Sequence, residues 1–238
     1  MGVLGSVGSG LAKRITPGIA GTAVREILER AIDGVGPLPG AAASGDAALR
    51  RTGGDTGWAV ESLISRHMRL AAAQGFLTNL GGIVTMGVTM PTNIAAVALL
   101  QCHLAAAIAH LHGYPLADPA VRDAVLVCLL DDDERKSLAG SRRERGRLTP
   151  AAIAAGPPDA DRSERISRSV TGQLLAGAGG KQLASFVARR IPVLGGAVGG
   201  VGDAWSTRRI GHDTARALPP RPRRPVTVLP DPPEELIG

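Results

Sequence analysis

Residues 91–113 read PTNIAAVALLQCHLAAAIAHLHG, and this stretch decides the fold. It opens on proline, which suits a first helical turn, and closes on glycine, which suits a helix end. From Ile94 to Leu111 it holds seven alanines and seven Leu, Ile or Val. The helix it predicts is apolar on nearly every side. A bilayer-spanning helix needs about 20 apolar residues. Alanine adds little to insertion, and Gln101, His103 and His110 oppose it. A buried central helix is therefore the preferred reading, with membrane insertion as its competitor.

Other helices are placed outward from it. Val24, Ile27, Leu28, Ala31 and Ile32 share one face of a segment that starts after Thr16-Pro17, and Glu26 and Arg30 lie opposite. Residues 34–57 read as a Pro/Gly/Ala linker. A helix begins near Trp58 with Leu63, Ile64 and His67 inward, and Gly75 and Gly81-Gly82 interrupt its continuation. Pro119 opens a helix with Val121, Val125, Cys128 and Leu129 inward. The run Asp131 to Glu134 opposes the dipole at that helix's end and predicts a loop. Later helices are expected over 161–175, 181–190 and 203–217, broken or kinked by the glycines at 177–180 and separated by the Gly-rich 191–202, with one short turn after Thr149-Pro150. No strand periodicity stands out. The fold class is all-α, with about six to eight helices around the central one.

The domain runs over 16–217, preceded by a flexible 1–15. It carries an Arg-rich insertion at 135–161 and is followed by a Pro-rich tail, 218–238, with seven prolines between 219 and 233.

Composition excludes several functions. The 238 residues are 44% hydrophobic but 2% aromatic, so a base-stacking platform is not expected. Two cysteines cannot staple a disulfide scaffold, and both read as reduced buried thiols. Met1 to Leu11 lacks a basic start and a long apolar core, so no signal peptide is expected. The net charge is +6, nearly all arginine, with excesses over 135–168 and 189–224. Basic surface beside apolar helices points to an anionic membrane surface or a protein partner. Nucleic acid is disfavoured, because no docking motif accompanies the arginines. The sequence sets no oligomeric state.

Chemical motifs are scarce. Gly180-Lys181 is followed by Gln182, so the phosphate-loop pattern fails. Residues 195–202 lack the spacing and the strand of a dinucleotide fingerprint. The histidines show no zinc spacing, and no nucleophile elbow occurs. No catalytic residue, cofactor or metal is expected. If Gln101 is buried its amide needs a partner. A pocket around Gln101, His103 and His110 is the one enzymatic alternative.

Gly75-Phe76, Gly81-Gly82, Met90-Pro91-Thr92-Asn93-Ile94, Leu100-Gln101, Ala107-Ile108-Ala109-His110 and Gly113-Tyr114 together resemble the core of the EcsC protein family. A second stretch resembles that family's C-terminal signature. It comprises Pro192, Gly195, Gly196, Gly199 and Gly200, then Thr207, Ile210, Gly211 and Ala215. The resemblance spans residues 58–216, about two-thirds of the chain. Asn93 stands where the family usually has an acid, which argues against carboxylate chemistry there. The Gly113-Tyr114 step also departs from the family's Tyr-Gly-like order. EcsC-like proteins are mainly helical, take their name from an ABC-transporter operon and lack an established catalytic activity. The resemblance implies a cytoplasmic accessory or regulatory protein at the inner face of the membrane. Gly81, Gly82, Pro91, Asn93, Gln101, His103, Pro192, Gly195, Gly196, Gly199 and Gly200 are the candidate functional or membrane-contact residues. The alternative is a soluble interaction module using the Arg-rich loop and the Pro-rich tail.

Overall fold

The computed structural model describes residues 17–80, 86–188 and 192–221, with side-chain surroundings for 22–73, 95–176 and 201–221. Helix α1 spans Pro17–Asp33. The two-residue strands β1 (Gly34–Val35) and β2 (Leu38–Pro39) pair antiparallel, and α2 spans Ala41–Arg51. The long helices are α3 (Thr56–Leu80), α4 (Met86–Leu111), α9 (Ala160–Ala188) and α10 (Pro192–Ala217). Between α4 and α9 lie α5 (Pro119–Leu129), α6 (Asp132–Ala139), α7 (Arg142–Arg147) and α8 (Pro150–Ala155). The all-α class is confirmed, with ten helices among the described residues rather than six to eight.

Helix α4 is the axis. Every residue from Gln101 to Ala109 is buried, and α1, α2, α3, α5 and α10 pack around it. Its alanines allow close approach: a Cβ on Gly45 of α2 would sit 3.2 Å from the Ala107 carbonyl oxygen. The end falls where Gly113 predicts. Gly113 takes φ +83, its N–H reaches His110 O at 2.9 Å, and the Tyr114 N–H reaches Ala109 O at 3.0 Å. The start does not: α4 begins at Met86, one turn before Pro91. Proline there withholds its N–H and crowds the carbonyl four residues back, a cost the packed helix absorbs. Among the described residues no helix is long and apolar enough to cross a membrane.

The inward faces of α1, α3 and α5 are as the periodicity predicts, with Val24, Leu28, Leu63, Ile64, His67, Val121, Val125, Cys128 and Leu129 all buried. Four expectations are corrected. Residues 34–57 are no linker, because α2 buries Ala41, Ser44, Gly45 and Ala48, a stripe too small to read as a core face. The acids at 131–134 do not form a loop. The chain turns extended at Leu130, Asp131 caps α6 by accepting the Glu134 N–H at 2.9 Å, and the other acids enter its first turn, where the dipole favours them. The Arg-rich insertion 135–161 holds more than the one short turn expected after Thr149-Pro150. Ser141 and Glu144 form a capping box for α7, and Thr149 caps α8 as its pairing with Pro150 predicts. Finally, α9 continues through Gly177–Gly180 and α10 begins at Pro192, ahead of its glycines. An interior glycine costs about 1 kcal/mol against alanine, too little to end a long helix that is already nucleated.

The tail begins later than residue 218. Leu218 is fully buried, and its carbonyl bonds His112 Nδ1. The Tyr114 hydroxyl donates to Pro219 O at 3.1 Å, and the Arg221 guanidinium lies 4.0 Å over the Tyr114 ring. The packed body therefore extends to Arg221.

Candidate functional site

The candidate residues separate into a buried polar line and one end of the bundle. Gln101 is 5% exposed, and its Nε2 donates to Ser206 Oγ of α10 at 3.2 Å. His103 faces the other way, toward His67 of α3 at 2.8 Å and Pro39 O at 2.8 Å. His110 sits nearer the surface against Asp46 Oδ1 at 2.8 Å. The three therefore belong to three different neighbours among the described residues. Ser44 Oγ lies 3.3 Å from His103 Nε2, but Ser44, His67 and His103 are all fully buried, so no substrate reaches that hydroxyl.

Sequence reasoning missed a third polar centre. Asp123 of α5 is buried and receives Ser163 Oγ at 2.7 Å and Arg25 Nη2 at 3.2 Å. One carboxylate thus ties α1, α5 and α9. The available signal was an acid inside a largely apolar helix, next to Arg122; its partners, 98 and 40 residues away, could not be read. Among the described residues no group of three His, Cys, Asp or Glu could hold a metal ion. A cleft of about 260 Å³ between α6 and α9 is lined by Ser137, Leu138, Arg165, Arg168 and Ser169. Arg168 is already paired with Glu164 at 2.6 Å.

Both cysteines are free and buried, and burial pushes each thiol up to about 12. Reactivity requires the thiolate. At pH 8 a thiol reagent should therefore leave the folded protein unmodified and label two sites once it is unfolded. Fast labelling of either site without denaturant would contradict this burial.

The end of the bundle is set by helix direction. Helices α4 and α10 run parallel: Gln101 lies beside Ser206, and His112 beside Leu218. Helix α3 runs against both, with Gly211 abutting Ile64 and His212 Nδ1 3.5 Å from Glu61. This register places Pro192, Gly195, Gly196, Gly199 and Gly200, on the backbone of α10, level with the start of α4. Pro91 and Asn93 lie there on α4. The side-chain surroundings of these seven residues fall outside the described residues, and Gly81 and Gly82 are outside them entirely. The uncharged stretch 192–202 of α10 thus lies beside the first part of the uncharged α4. Toward that end Trp205, Val201 and Leu70 are apolar and exposed, at 67%, 69% and 38%, with Arg69 exposed beside them and Asp203 buried between Val201 and Trp205. Gly202 has open space beside it. The other tryptophan, Trp58, is 70% exposed at the opposite end of α3.

Comparison of the chain with protein-family models, with curated proteins and with solved structures finds no match.

Proposed function

We propose that this is a non-enzymatic, EcsC-like helical protein that rests on an anionic membrane surface in an accessory or regulatory role. The observation that carries the reading is the exposure of Trp205, Val201 and Leu70 on adjacent helices, next to the uncharged stretch that opens α10. Tryptophan favours the boundary between headgroup and acyl chain, where its ring is buried and its N–H stays wet. Arg66 and Arg69 on α3 and Arg208 and Arg209 on α10 border the same patch in sequence. Each arginine near an anionic leaflet adds about 1 kcal/mol. A peripheral contact of this kind needs no spanning helix.

Vesicle sedimentation tests it. The protein should pellet with phosphatidylglycerol vesicles at low salt and stay in solution with phosphatidylcholine vesicles. Trp205→Ala should weaken binding about tenfold or more, the size expected from losing one buried aromatic. Trp58→Ala, equally exposed at the far end, should bind as the parent does. No binding to anionic vesicles, or equal loss in both variants, would defeat the proposal and leave the soluble interaction module as the better reading.

A further inference from the structure

The buried line through His67 and His103 does not balance with neutral rings. His67 Nδ1 lies 2.8 Å from Leu63 O, and His103 Nε2 lies 2.8 Å from Pro39 O. A carbonyl oxygen only accepts, so each of these nitrogens must carry a proton. The remaining nitrogens, His67 Nε2 and His103 Nδ1, face each other at 2.8 Å and need one proton between them. The ring centroids are 5.0 Å apart and the planes inclined by 28°, so the rings meet edge to edge, as an N–H···N bond requires. The full line takes three protons, whereas two neutral imidazoles hold two. The geometry is that of an imidazole–imidazolium pair carrying one positive charge.

Burial resists that charge. It pulls His67 down to about 4; the Leu63 carbonyl offsets part of this, and His103 and Arg66 lower it further. His103 is also lowered, again by burial first, with the Pro39 carbonyl opposing and Arg66 adding to the fall. Of the other charged groups on the packed helices, Asp46 pairs with His110 across α2 and α4, and Glu61 with His212 across α3 and α10. Asp203 of α10 is buried and engaged. At neutral pH the pair therefore holds two protons, and one end of the line loses its donor. The Pro39 end has an alternative, because Ser44 Oγ lies 3.3 Å from His103 Nε2 and can donate to that nitrogen once it is bare.

We propose that His67 and His103 form a buried one-proton latch between the β1–β2 hairpin and the α3–α4 pair. With the third proton, His103 Nε2 donates to Pro39 O and holds the hairpin that joins α1 to α2. Without it, Nε2 accepts from Ser44, and the Pro39 carbonyl is released. The two histidines titrate as a unit, with a midpoint below that of an ordinary histidine. The unfolded chain binds protons first as the pH falls from 6.5, so the pair's contribution to stability is full above that pH and is lost toward about 4.

Nuclear magnetic resonance on the uniformly ¹⁵N,¹³C-labelled full chain tests the latch between pH 8 and 3.5. The ring nitrogens of His67 and His103 should shift with one shared midpoint below 6.5, and the Pro39 carbonyl carbon should shift with them. Assignment separates these rings from His110 and His212, which pair with Asp46 and Glu61 instead. Ser44→Ala removes only the alternative donor to the bare nitrogen and should raise the midpoint. Independent titration of the two histidines, no proton uptake while the protein stays folded, a Pro39 carbonyl that ignores the uptake, or an unmoved midpoint in Ser44→Ala would each overturn the proposal.

Discussion

Replacing Arg25 with alanine is expected to cost about 3 kcal/mol of folding stability, the largest loss foreseen for any charged residue among the described residues. The reason lies on its partner. The Asp123 side chain is 2% exposed, so its carboxylate cannot fall back on water. Arg25 Nη2 meets that carboxylate at 3.2 Å and also donates to Ser163 O at 2.7 Å. Without the guanidinium, the carboxylate keeps the Ser163 hydroxyl at 2.7 Å as its remaining described side-chain donor. Removing one partner of a buried pair costs about 3–5 kcal/mol, and the 37% exposure of Arg25 moves the expectation to the lower end. Asp123→Asn keeps the shape and an acceptor oxygen, so it should cost about 1 kcal/mol. Urea denaturation of the two variants measures this. A loss under about 0.5 kcal/mol for Arg25→Ala would mean that water, not the guanidinium, satisfies Asp123.

Gly211→Ala should cost about 1–3 kcal/mol, although alanine is the better helix former. Here α10 crosses α3 so closely that a Cβ would stand 2.5 Å from Ile64 Cγ1 and 3.2 Å from Leu104 Cδ2. Both neighbours are fully buried core side chains and cannot swing into solvent. Ile64→Ala alone should cost about 2–5 kcal/mol through the cavity it leaves. In the double variant the new methyl enters that cavity, so the two losses should fall short of additivity by about 1 kcal/mol or more. Additive losses, or a stabilised Gly211→Ala, would show that the helices can move apart at no cost.

These two sites also mark how far a sequence can be read. Helix α4 is legible because it is apolar all round and ends on a glycine that takes φ +83. Helices α1, α3 and α5 are legible because their buried residues are large and recur with helical period. The Thr149-Pro150 start works because a cap is local chemistry: a hydroxyl accepts an N–H three residues on. Helix α2 escapes because Ala41, Ser44, Gly45 and Ala48 look like linker composition until an alanine-rich helix is laid against them. The acids at 131–134 are misplaced for a related reason. Their charge is unfavourable at one helix end and favourable at the next, and only the extended Leu130 shows that a second helix has begun.

For the candidate site the division is sharper. The sequence locates Gln101 and His103 on the central helix and leaves both without partners. Ser206, His67 and Pro39 come from elements 36 to 105 residues away. Likewise, 70–117 and 191–202 stand out as uncharged from composition alone, while the placing of 192–202 beside the first part of α4 depends on the direction of α10.

The sequence by itself determined the helical class, the axis and the inward faces, because hydrophobic period and capping act within a few residues. Only the tertiary structure decided the glycine at the α3–α10 crossing, the Asp123 tie, the His67–His103 line and the exposed Trp205. Each depends on which surfaces meet, and that is settled by packing between residues far apart in the chain.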